Sequence, residues 1–71
     1  MNFFTKKEKE IIELLLQAHP LKVIAGFKDC SINTIHTHLR NLHMKTQTHS
    51  IPELMVWIGN HPEKLDLHLT R

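Results

Sequence analysis

Seven histidines, a single cysteine and a cluster of basic residues are the side chains of this 71-residue chain whose types could do chemistry. His36, His38 and His43 come nearest to a metal-ligating set. On a helix, residues two apart point about 200° apart, whereas a ligand pair needs the i,i+4 spacing that puts both on one face. The spacing therefore argues against a metal site, and no cofactor is expected. Cys30, Asp29 and the histidines supply the residue types of a nucleophilic triad, but types without an enclosing pocket do not make an enzyme. A small buried thiol is the simpler reading of Cys30, with redox sensing its unsupported rival. Charge is more informative. The chain carries only +2 overall, yet between Lys22 and His49 the basic residues Lys22, Lys28, Arg40 and Lys45 are set against Asp29 alone, and four of the seven histidines lie there too. Such a stretch is either a solvated positive face or a surface for phosphates.

A chain of this length buries only about 60% of its unfolded surface, which suits one domain and not a substrate-enclosing cleft. Apolar residues at 41% and charged residues at 23% are ordinary globular usage. No apolar run approaches the ~20 residues of a membrane span, and the opening residues lack the basic-then-apolar order of a secretory signal. A cytoplasmic protein without membrane contact is expected. The lone cysteine cannot bridge internally, so the core must come from packing or from a partner subunit.

Helix punctuation positions these residues. Thr5 and Glu8 have the spacing of a capping box, which predicts a first helix from about Lys6 to Ala18. Its buried stripe is Ile11, Ile12, Leu15 and Leu16, with Lys9, Glu10, Glu13 and Gln17 facing water. Pro20 stops that helix and suits the first turn of a second, Pro20 to Phe27, with Leu21, Val23, Ile24 and Phe27 as core contacts. Ser31 can cap a third helix from Ile32 to about Lys45. There Ile35, Leu39 and Leu42 recur at i, i+4 and i+7 as one buried seam. The opposite face carries Asn33, Thr37, Arg40 and Met44, with His36 and Asn41 at its margins. Ser50 and Glu53 repeat the capping-box spacing for a fourth helix running to about Ile58 and closed by Gly59 and Asn60.

The expected fold is all-α, with four helices sharing one core of Ile12, Leu15, Ile24, Ile35, Leu39, Leu42 and Leu54. Residues 1–60 form the domain, and 61–71 a tail or short extra turn after Pro62. In the fourth helix Ile51, Leu54, Met55 and Ile58 already make a core stripe, so Val56 and Trp57 need another cover. Either a second copy of the helix or the tail leucines folding back could supply it.

Two short helices joined by a brief turn, the second basic and polar on its outer face, describe a helix-turn-helix whose second helix enters the DNA major groove. Bundles that bind no DNA share that pattern. The residues go further. Phe4-Thr5-Lys6-Lys7-Glu8-Lys9-Glu10-Ile11-Ile12-Glu13-Leu14-Leu15 resembles the opening of the LuxR/GerE family of bacterial regulators, which usually reads L-T-x-R-E-x-E-V-L-x-L-L. Ile24-Ala25, Ser31-x-x-Thr34-Ile35, His38-Leu39-x-Asn41-Leu42, Lys45 and Ser50-x-x-Glu53-Leu54 continue the match without a gap, covering residues 4 to about 58.

The resemblance implies a DNA-binding transcription regulator, with the third helix as reader and the fourth commonly making the dimer. It implies phosphate contacts for Lys22, His38 and Lys45, and base or backbone contacts for Asn33, Thr34, His36, Thr37 and Arg40. Pro52, Val56, Trp57 and Gly59 are the expected dimer face. Double-stranded DNA, a second copy and RNA polymerase are the implied partners, at the bacterial nucleoid. Chemistry agrees: Arg40 can grip guanine O6 and N7, Asn33 can pair with adenine, and Thr37 can meet a thymine methyl or a phosphate. Lysines clamp phosphates.

Departures from the family pattern are Lys7 for arginine, Ala18 for glycine, Val23 for glutamate, Lys28-Asp29 for Leu-Gly, Thr46 for leucine and Ile51 for arginine. Loss of glycine at 29 predicts a changed turn before the third helix. Together with the modest charge, the departures motivate a rival function: a protein-interaction module that keeps the fold but dimerises with, or inhibits, a related regulator without useful DNA affinity.

Overall fold

Thr5 and Glu8 satisfy each other's backbone at the start of α1 (Lys6–Leu16): the Thr5 N–H donates to Glu8 Oε1 at 2.9 Å, and the Glu8 N–H to Thr5 Oγ1 at 3.1 Å. The computed structural model describes residues 3–65, and among them every regular element is a helix. α2 (Leu21–Phe27) follows Pro20, which acts as the N-cap and not as the first helical residue. α3 (Ile32–Thr46) is capped by Ser31, whose hydroxyl accepts from the Thr34 N–H at 3.2 Å. α4 spans Ile51–Asn60, and a single turn, α5 (Pro62–Leu65), ends the described chain. At α4 the Ser50 hydroxyl accepts from the Glu53 N–H as the spacing predicts, but the Glu53 carboxylate reaches one residue further back, to the His49 N–H at 2.7 Å.

The helices end without the glycines that usually permit it. Ala18, Asp29 and Gln47 adopt left-handed backbone with φ of 66°, 54° and 57°. Behind Ala18 the His19 N–H returns to the Leu14 carbonyl at 3.2 Å, behind Asp29 the Cys30 N–H returns to Ala25 at 3.0 Å, and behind Gln47 the Thr48 N–H returns to His43 at 3.0 Å. These are Schellman closures, in which a left-handed residue lets the chain satisfy carbonyls that the helix end leaves unpaired. Position 29, where the family usually has glycine, closes α2 in the same left-handed way as the other two helix ends. Asp29 takes up the left-handed geometry itself, as short polar residues can. Gly59, expected to close α4, lies inside it, and His61 is the cap.

α2 packs on α1 and α3, α4 on α3, and α5 on α4. All seven expected core residues are buried, joined by Phe4, Ile11, Ala25, Ile58 and Leu65. Of the other residues expected to face the core, Leu16, Val23 and Phe27 are 48%, 40% and 59% exposed, and Leu21, Ile51 and Met55 are half-buried against it. α2 is only two turns long and buries one narrow stripe, Ile24 and Ala25. Val23 and Phe27 fall on its outer side, where the Phe27 ring meets His19 edge-on at 5.1 Å. Glu8 takes an interior place instead, 5% exposed.

Candidate nucleic-acid interface

α3 presents its polar face because its apolar face is fully used. With Ile35, Leu39 and Leu42 buried, the 100° step per residue turns Asn33, Thr37 and Arg40 outward, and each is exposed, as are Thr34, His36 and, on α2, Lys22. His38 is half-buried at the margin. Thr37 Oγ1 donates to the Asn33 carbonyl at 3.1 Å, which leaves that oxygen an acceptor. Thr34 is partly occupied in the cap, its hydroxyl 3.1 Å from Ser31 Oγ.

Two of the four cations in the basic stretch have carboxylate partners. Lys45 Nζ lies 2.5 Å from Glu8 Oε1 and donates to the Phe3 carbonyl at 3.2 Å, so it clasps the C-terminal end of α3 to the start of α1. Lys28 bonds Glu10, and that hydrogen bond holds the Glu10 carboxyl below the usual carboxylate range. Lys22 and Arg40 have no carboxylate within ion-pair distance among the described residues. Sequence spacing placed all four lysine and arginine side chains on equal footing; the structure leaves two of them free of acidic partners.

Trp57 was expected to need a cover, from a second copy or from the tail leucines, and its own chain supplies much of one. Phe3 stacks on its ring at 5.6 Å, Phe4 meets it edge-on at 6.0 Å, and His61 stacks at 4.0 Å. Leu65 of the tail is buried as well; Leu67 and Leu69 lie outside the described residues. What remains of the expected dimer face is the stripe Pro52, Val56 and Gly59, all exposed, at i, i+4 and i+7 of α4.

Sequence reasoning missed a polar cluster at the C-terminal end of α3. Thr46 and Thr48 are buried. Thr46 Oγ1 donates to the Leu42 carbonyl at 2.9 Å and lies 2.9 Å from Thr48 Oγ1, which in turn lies 2.8 Å from His43 Nδ1. Thr46, standing where a leucine is usual, was the available signal, because a buried hydroxyl needs partners. Beside the cluster, His36, Arg40, His43, Met44 and His49 line an open groove of about 1020 Å³. No three His, Cys, Asp or Glu side chains among the described residues converge as a metal site would require. Cys30 is half-buried at the core edge.

The family model for bacterial regulatory proteins of the luxR family matches residues 2–58. The chain belongs to this family. The monoamine regulon transcriptional regulator of Klebsiella aerogenes is 39% identical over 51 residues, 72% of this chain and 22% of that protein. The nitrate/nitrite response regulator protein NarL of Escherichia coli K12 is 31% identical over 65 residues, 92% of this chain and 29% of that protein. The chain thus spans less than a third of the length of these curated relatives. No solved structure matches it. As a luxR-family domain it keeps the helix order that its motifs imply, with the family's Ser31-x-x-Thr34 at the cap of α3 and Glu8 in the capping box of α1.

Proposed function

We propose that this chain is the sequence-specific DNA-binding part of a bacterial transcription regulator, with α3 lying in the major groove and α4 pairing two copies. The observation that carries the reading is the solvent face of α3: Asn33, His36, Thr37 and Arg40 are all exposed on a helix anchored by its opposite side. Arg40, without a carboxylate partner among the described residues, is free to address guanine, and Asn33 to address adenine. Lys22 is the freest candidate for a phosphate, followed by Lys45, which would have to exchange or share Glu8, and by Thr34 and His38 at the edges of the face. The regulator names of the relatives support the same assignment. RNA polymerase at the nucleoid is the machinery that a domain bound in this way would influence.

Dimerisation would place two reading helices on half-sites about one helical turn apart and double the phosphate contacts. The exposed Pro52, Val56 and Gly59 stripe favours α4 as the pairing surface. A second reading, a protein-interaction module without DNA affinity, draws on the pairing of Lys28 and Lys45 with Glu10 and Glu8. A salt titration of duplex binding decides between them. Phosphate neutralisation gives a linear fall of log affinity with log salt, about 0.9 per phosphate contact, and Lys22→Ala should lower that slope by about one per chain. Absence of saturable duplex binding at low salt would leave the interaction module as the function.

A further inference from the structure

The direction of the hydrogen-bond chain at His43 follows from counting protons. The Leu42 carbonyl can only accept, so Thr46 donates its one hydroxyl hydrogen there. Thr46 Oγ1 must then accept from Thr48, whose single hydrogen is thereby used. Thr48 Oγ1 is left to accept from His43 Nδ1. Neutral His43 is therefore held as the Nδ1–H tautomer, with a bare lone pair on Nε2. Among the described residues Nε2 has no partner, and no buried side-chain nitrogen or oxygen there lacks one, so Nε2 meets solvent.

His43 lines the groove that Arg40 and His36 share. From α2 and α4 only the apolar Leu21 and Ile51 face it, and the connecting loop adds His49, whose ring is 3.6 Å from Glu53. Among the described residues the ionisable groups around His43 in the groove are thus Arg40, His36 and His49, and no carboxylate lines it.

We propose that His43 is a further DNA contact, a phosphate-binding residue that donates from Nε2 only as the imidazolium, so that proton uptake is built into duplex binding. The inference rests on the DNA-binding reading above. In the neutral form the fixed tautomer turns an acceptor toward an acceptor oxygen, which repels. Protonation converts the same atom to a charged donor, the stronger class of hydrogen bond, and leaves the Nδ1–H bond to Thr48 undisturbed.

The test is the affinity of the full chain for a mixed-sequence duplex of two helical turns, measured at constant ionic strength from about pH 5 to about pH 8. Affinity should fall as pH rises. His43→Gln should remove about one proton per chain from the coupling, a loss of up to about tenfold per pH unit; His36 and His49 supply the background that the comparison subtracts. Thr48→Val releases the tautomer, so the neutral ring can donate from Nε2, and binding at the alkaline end should strengthen. Long-range nitrogen–proton correlation spectra of the free wild-type chain should show Nδ1–H at alkaline pH, a reading that depends on no variant. An Nε2–H tautomer in those spectra, or a pH slope unchanged by His43→Gln, overturns the role of His43 while duplex binding itself stands. No saturable duplex binding at any pH overturns both.

Discussion

Removing the Glu8 carboxylate should destabilise the domain by more than its place on a surface helix suggests. The side chain has two tasks: it accepts the Thr5 N–H in the capping box and it holds Lys45. The first contributes about 1 kcal/mol, as a typical hydrogen bond does net of its exchange with water. For the second, breaking a fully buried ion pair costs about 3–5 kcal/mol and breaking an exposed one about 0–1. The Glu8 side chain is 6% exposed and that of Lys45 34%, so after Glu8→Ala the freed ammonium can swing into water, and about 1–2 kcal/mol is the reasonable share. The sum, about 2–3 kcal/mol, is a large part of the roughly 4–10 kcal/mol total of a domain this size. It should lower Tm by about 10–20 °C.

Lys45→Ala should cost at least as much although Lys45 is the more exposed partner, because it strands a carboxylate that cannot leave the interior. The double variant should then cost less than the sum of the singles by about 1–2 kcal/mol. Urea unfolding of the four proteins measures the cycle. Additive losses, or a Lys45→Ala loss below about 0.5 kcal/mol, would refute the clasp and return Lys45 to a free surface cation.

Two further outcomes follow from backbone and surface geometry. Ala18→Gly should stabilise by about 0.5–1 kcal/mol and raise Tm by a few degrees, since the left-handed φ of 66° costs an L-residue about 1–2 kcal/mol while glycine's greater unfolded freedom returns only part of that; a lower Tm in a thermal scan contradicts the Schellman argument. Gly59→Ala should stabilise the isolated domain by about 0.5–1 kcal/mol through helix propensity, because a Cβ there meets nothing within 4 Å, yet it should weaken self-association, as should Val56→Glu. Sedimentation of both variants checks this, and parental association in both rules out the α4 stripe as the pairing surface.

The four principal helices, the caps at Thr5, Ser31 and Ser50, and the buried seam of α3 were legible along the chain, because periodicity and capping act over three or four neighbours and do not depend on what packs against them; the α5 turn was left open. The exposed α3 face was legible for the same reason: once Ile35, Leu39 and Leu42 point inward, Asn33, Thr37 and Arg40 have one direction left. Tertiary structure decided what no local rule reaches. Val23 and Phe27 read as core by type, but a two-turn helix wedged between α1 and α3 can bury only one stripe. Trp57 read as needing a cover from a second copy or the tail, and folding supplied Phe3 and Phe4, more than fifty residues earlier in the sequence. Lys45 and Glu8 lie 37 positions apart, so only the meeting of the C-terminal end of α3 with the start of α1 determines that one of the chain's cations is clasped and not free. The tautomer of His43 is of the same kind, set by two threonine hydroxyls that become a directed chain only once folding excludes the water that would otherwise satisfy each of them.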